Sequence, residues 1–200
     1  MLLKNTLLVL VLTLLIGSLQ AQTIEELNAF NVKRNSINTK GMPVLAAWGF
    51  ANVAVGVIGT STTCDETDKY FHQMNLFWGG INLALATVGY YGAKRDKKSY
   101  DLAATVKKQQ SIEKTFLFNA ALDAVYISAG AYLLEKSTNS SNRREMYNGY
   151  GQSLILQGAF LLGFDAIMYL AHTKHGKNKL TPLLEHVKLS NNGIGVYYSL

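Results

Sequence analysis

Hydrophobic and polar positions along this chain fall into long blocks rather than short alternations. Four stretches, Gly41–Ser61, Asn75–Ala93, Thr115–Leu134 and Ser153–His172, are almost free of charge. A helix rises ~1.5 Å per residue, so a run of about 20 residues covers the ~30 Å hydrocarbon core of a bilayer. Aromatic residues lie near the run ends, as at lipid–water boundaries: Tyr70, Phe71, Tyr90, Tyr91, Tyr132 and Tyr169. A soluble bundle would carry a charged face on each helix, and these runs have none. The pattern predicts an all-α membrane protein, a four-transmembrane-helix up-down bundle over residues 41–173.

The flanks read differently. Residues 1–21 place Lys4 before an apolar core from Leu7 to Ile16, with Gly17, Ser18 and Ala21 behind it. That order predicts a secretory signal peptide, with an uncleaved anchor as the alternative. Over residues 22–40, Ile24, Leu27 and Phe30 recur at helical spacing ahead of Lys33 and Arg34, compatible with an amphipathic helix along the membrane surface. Residues 174–200 form a basic tail in which EHVKLS and IGVYYSL flank Asn191, Asn192 and Gly193, a short C-terminal β-hairpin pattern.

Composition supports the membrane reading and narrows the rest. Charged residues make up 16% of the 200, and the net charge is +6. That share, below the usual ~25%, excludes a disordered chain and a coiled coil. The single Cys64 excludes an internal disulfide and a Cys-rich zinc site. Basic residues crowd into residues 23–40, the second loop (residues 94–114) and the tail. The first and third loops carry only Lys69, Lys136, Arg143 and Arg144. The positive-inside rule therefore places the second loop and tail in the cytoplasm, whereas a cleaved signal peptide exports the chain behind it. Both orientations stay open. The expected location is a bacterial cell membrane, the inner one. The basic loops have no aromatic platform, so the expected partners are the lipid bilayer and other membrane subunits or a second copy, with no nucleic acid.

Each run carries a strongly polar residue near its middle: Asn52, Asn82, Asp123 and Asp165. Lipid does not satisfy such groups, so they are expected to face the bundle interior and pair there. Counting from the first-loop face puts the Asn pair and the Asp pair in two layers, roughly 5 Å apart at ~1.5 Å per residue. Asn119, Asp123 and Tyr126 share one helix face, and Asp165, Tyr169 and His172 another. Trp48, Asn52, Gly56 and Gly59 share a side of the first run, which Trp78, Asn82 and Gly89 repeat in the second. Ala120, Ala124 and Ser128, and Ala159 with Gly163, form small-residue ridges suited to close helix approach.

The segments GMxxLxxWGxxN (41–52), MNLFWGGINL (74–83), FNxxLDxxY (118–126) and GYGxSLILQGAFLLGFDxxxY (149–169) resemble a family of small four-helix membrane proteins of unknown function found in Bacteroidota. The resemblance covers nearly the whole chain after the signal segment. It implies a helical membrane domain and brings no activity, cofactor or ligand with it.

Candidate chemistry is sparse. His172 and His175 could face together but lack a third placed ligand for a metal. No GxSxG, HExxH, Walker A or GxGxxG element is present, so no cofactor site is expected and an intramembrane or interfacial enzyme is the third choice. Two functions rank ahead of it. One is a structural or accessory membrane subunit whose buried Asn/Asp layer specifies helix packing. The other is a small ion- or proton-coupled transporter or channel unit using Asp123 and Asp165, since intramembrane acids are functional candidates.

The apolar core from Leu7 to Ile16 is too short to span comfortably. Intact-mass measurement of protein recovered from membranes is therefore expected to give a start near Gln22. Retention of residues 1–21 would instead favour the anchor.

Overall fold

The computed structural model describes the backbone of residues 2–96, 101–185, 187–190 and 193–196, and the side chains of residues 24–96, 101–182 and 184. Four long helices carry the fold: α1 (Leu2–Thr62), α2 (Glu66–Arg95), α3 (Leu102–Thr138) and α4 (Arg144–His175). Each expected apolar run lies inside one of them. Three of the four, α1, α3 and α4, are long and apolar enough to cross a membrane. The second run, in α2, falls short of that standard because Asn82, Thr87 and several glycines interrupt it.

The polar loops start the helices. Asp65 accepts a hydrogen bond from Asp68 N (3.0 Å) at the head of α2, and Asp101 accepts one from Ala104 N (2.6 Å) at the head of α3. Each carboxylate satisfies an amide that would otherwise lack a partner in the first helical turn. After α4 come a π-helical turn (Gly176–Leu180), α5 (Thr181–Glu185) and two antiparallel strands, β1 (Val187–Ser190) and β2 (Gly193–Val196). The Asn191–Asn192 turn expected between the strands and the side chains of this tail lie outside the described residues. The side chains of the expected signal segment, 1–21, do so as well.

Glycines set the helix pairing. A Cβ on Gly49 would stand 2.9 Å from Gly79 O, and one on Gly79 would stand 2.7 Å from Gly49 O. The backbones of α1 and α2 therefore touch directly, and the two run antiparallel from Gly59 beside His72 to Met42 beside Gly89. The second pair is built the same way: a Cβ on Gly130 would stand 2.7 Å from Gly151 O, and one on Gly151 2.8 Å from Gly130 O. Further along, a Cβ on Gly158 of α4 would stand 2.9 Å from Asp123 O of α3. The pairs join through α2 and α4, with Gly149 beside Thr67 and Asn75 beside Ser153 and Gln157. The small ridges expected to make these contacts do not: Ala124, Ser128, Ala159 and Gly163 are exposed, and nothing approaches a Cβ at Gly163. The closest backbone approaches are made at glycines, where no Cβ stands between the helices.

The distribution of side chains is inverted relative to a water-soluble bundle. Phe50, Phe77, Val88, Phe118 and Ile167 are more than half exposed, while Asn75, Asn82, Gln109, Ser153, Gln157 and His172 are buried. An apolar core of Met42, Leu45, Ala86, Phe116, Leu161, Phe164 and Met168 sits toward the second-loop end.

Residues 22–40, expected along the membrane surface, instead continue α1 without a break. Their Leu27, Phe30, Asn31 and Arg34 are buried. Arg34 donates to Asn31 Oδ1 (2.6 Å) and to Asp96 Oδ2 (2.9 Å). Asn31 reaches Thr105 Oγ1 of α3 (3.1 Å), and Lys108 also pairs with Asp96. This clasp ties α1 to both ends of the second loop, so two basic residues serve an internal ion pair rather than a free surface.

Adjacent glycines give a direct test of the pairing. Nothing lies within 4 Å of a Cβ on Gly80. Gly80→Ala is expected to leave thermal stability unchanged or raise it by up to ~1 kcal/mol through helix propensity. Gly79→Ala is expected to lower it by about 1–3 kcal/mol through overpacking. Thermal denaturation of both purified variants checks the contrast, and equal effects would contradict the Gly49–Gly79 contact.

Candidate functional site: an amide layer and an acidic cavity

Two polar levels occupy the bundle interior. The first is centred on Gln157 of α4, whose side chain has no exposure. Its Nε2 donates to Asn52 Oδ1 (2.6 Å) and Asn75 Oδ1 (2.9 Å), and its Oε1 accepts from Trp48 Nε1 (2.9 Å) and Asn82 Nδ2 (3.4 Å). Ser153 donates to Asn75 Oδ1 (2.6 Å), and Asn52 returns a bond to Trp48 O (2.8 Å). The Trp48 ring also stacks on Phe160, centroids 4.0 Å apart. One amide thus uses both donors and both acceptor positions to hold α1 and α2 onto α4.

The second level contains the acids. Asp123 and Asp165 are buried at 3% and 6% exposure. Their carboxyls interact with one another, and Asn119 reaches Asp165. Two buried carboxyls in that relation are costly to hold as two bare charges. From Gln157 to Asp165 is just over two turns of α4, roughly 12 Å at ~1.5 Å per residue, and Asp123 enters between them from α3, its backbone beside Gly158.

A cavity of about 530 Å³ reaches the acid level. It fills the gap between α2 and α3, with Met42 and Leu45 of α1 and Leu161 and Phe164 of α4 behind it. Trp78 and Tyr126 close one end, rings edge-on at 4.9 Å. Asn82 and Asp123 stand about one helical turn from those rings, Asn119 and Asp165 also line the cavity, and the remaining wall is mostly apolar. Along α2 the lining runs from Trp78 to Gly89, roughly 16 Å of helix.

The expected site residues therefore divide. Asn82, Asn119, Asp123, Tyr126 and Asp165 line the cavity, Asn52 belongs to the amide layer, and Tyr169 packs against the apolar core. Gln157, Asn75 and Ser153 join the polar interior without having been expected there. Gln157 carries the same signal as Asn82, a bare amide in an apolar run, but lies near the run's start instead of its middle. His172 and His175 face protein groups: His172 Nε2 donates to Asn38 Oδ1 (2.7 Å) and His175 Nε2 to Phe30 O (3.0 Å). Their rings lie on Phe116 and Phe30. Among the described residues no cluster of three or more His, Cys, Asp or Glu could hold a metal.

A family model, described as a family of unknown function, DUF6992, matches residues 44–166, more than half of the chain. The chain belongs to DUF6992. The matched segment contains Trp48, Asn52, Asn82, Asp123, Gln157 and Asp165, so both polar levels lie within the DUF6992 region. No curated protein and no solved structure matches the chain.

The amide layer yields a stability prediction. Gln157→Leu removes four hydrogen bonds, and at about 0.6 kcal/mol each in a membrane the loss is about 2 kcal/mol. Asp165→Asn keeps a hydrogen-bonding side chain and is expected to lose less. Thermal unfolding of the two variants in one detergent measures the order; an unaffected Gln157→Leu protein would mean that the layer does not hold the helices.

Proposed function

We propose that this DUF6992 chain is an integral membrane protein in which all four helices span a bacterial cell membrane, and that it works as a small ion- or proton-coupled unit centred on Asp123 and Asp165. The observation that carries the reading is the cavity that reaches the acid pair. Acids used only for packing would sit in a sealed, fully bonded core. The Gln157 side chain has that character, whereas the Asp level opens onto about 530 Å³ of space. Buried acids in a membrane interior are costly unless paired, and such residues mark ion and proton pathways.

The second reading is a structural or accessory membrane subunit, acting with other subunits or a second copy. It is favoured by Gln157, whose saturated hydrogen bonding specifies packing without any ligand.

Reconstitution into liposomes with an entrapped pH indicator separates the two. Under the first reading, wild-type protein carries protons in response to an imposed potential or cation gradient. Asp123→Asn and Asp165→Asn fold with little loss of stability but abolish the flux, because Asn keeps the hydrogen bonds and cannot exchange a proton or bind a cation as a charge. A wild type without flux, or Asn variants with full flux, would leave the acids as packing residues and transfer the assignment to the accessory subunit.

A further inference from the structure

The cavity wall contains three polar atoms that are buried and have no hydrogen-bond partner: Trp78 Nε1, Asn82 Oδ1 and Asp123 Oδ2. Asn82 has no exposure and Asp123 has 3%, so bulk water does not serve them. An orphaned polar atom in such a place costs ~1–3 kcal/mol. All three residues line the same cavity at the end closed by Trp78 and Tyr126. Two of the atoms are acceptors, one of them on a carboxyl, and the third is an indole N–H.

The mouth faces sideways. Leu85 and Val88 line the cavity and are 57% and 73% exposed on the flank of α2, among the other outward apolar residues. In a membrane this flank meets hydrocarbon. A ligand entering there has already partitioned into lipid and carries an apolar body. The volume lies within the ~300–1,000 Å³ range of small-molecule sites. Leu122, Phe116, Leu161 and Phe164 supply the apolar wall, and a carboxyl pair holding one proton retains one negative charge for the ligand's head.

We propose that this cavity binds a single-chain lipophilic amine, its ammonium head bonded to Asn82 Oδ1 and the Asp123 carboxyl beside the Trp78 ring, and its tail lying along α2 toward Val88. The head matches the two free acceptors, and its charge cancels that of the acid pair. The neighbouring Trp78 ring adds a favourable cation–aromatic contact when the head is desolvated. Alkyl ammonium groups titrate near pH 10, as lysine does, so the head is charged at neutral pH. The proposal rests on the reading of Asp123 and Asp165 as a working pair and names what that pair recognises.

The test uses full-length protein in lipid nanodiscs and 2-bromoundec-2-enylamine, whose bromine sits beside the ammonium head, within reach of the Trp78 ring, and quenches tryptophan fluorescence. The chain has two tryptophans, of which Trp78 lines the cavity. Saturable quenching by the amine is expected. Its apparent affinity should fall at least tenfold in Asp123→Asn and in Val88→Phe, which narrows the exposed lip without altering the interior. The brominated alcohol and carboxylic acid of the same length should quench weakly and without saturation. Val88→Phe carries the comparison if Asp123→Asn does not fold. Non-saturating amine quenching in the wild type, or equal binding of alcohol and amine, overturns the proposal. Proton flux measured on the same preparations keeps the two claims apart. Flux without amine binding rejects the ligand class alone, and amine binding without flux rejects coupling and leaves a binding site.

Discussion

The Gln157 side chain is the constraint on which the arrangement of helices depends. It is an amide with no water available, so all of its hydrogen-bonding positions must be met by protein. Trp48, Asn52, Asn75 and Asn82 meet them, which fixes the rotation of α1 and α2 relative to α4. A turn of any of these helices by one residue would swing an amide by ~100° and leave buried groups unpaired. Apolar side chains alone would not enforce this, because apolar contact is non-directional and fixes no rotation about the helix axis.

The glycine contacts and the amide layer act together. Gly49 on Gly79 and Gly130 on Gly151 bring each helix pair to backbone contact near the amide level. Toward the second-loop end the spacing is set by larger side chains, including Phe116, Leu161, Phe164 and Met168. α2 and α3 meet through the Trp78 and Tyr126 rings and otherwise stand apart, and the cavity occupies the gap. The Arg34–Asp96–Lys108 clasp closes the far end by holding the second loop against α1 and α3. Cleft and acids are consequently bounded by two rigid polar assemblies, a suitable frame for a site that holds a charged head.

Asn82 joins the two levels. Its Nδ2 belongs to the amide layer and its Oδ1 is left free at the cavity. A ligand bonded to that oxygen would bear directly on the group that sets the α2–α4 register. Under the proposed binding, occupancy of the cavity and packing of the bundle would be coupled through a single side chain.

The sequence by itself determined the helices and the burial of the acids. Runs of about 20 residues without charge can satisfy their backbone only as helices in a low-dielectric surrounding, and Asn52, Asn82, Asp123 and Asp165 had to turn inward for the same reason. Loop aspartates at positions 65 and 101 marked helix starts through local chemistry alone. Only the tertiary structure decided which polar residues meet. Gln157 and Asn52 are far apart in the chain, and their contact depends on the rotation of two helices, which hydrophobic periodicity does not specify when every face is apolar. The same holds for the ridges: Gly130 and Ala124 look equally small in the sequence, yet one packs and the other is exposed. The amphipathic pattern of the 22–40 segment suits a membrane surface and a helix–helix seam alike, and the pairing of Arg34 with Asp96, distant in sequence, was not visible in it. The cavity was illegible for a related reason, being the space left where α2 and α3 do not touch.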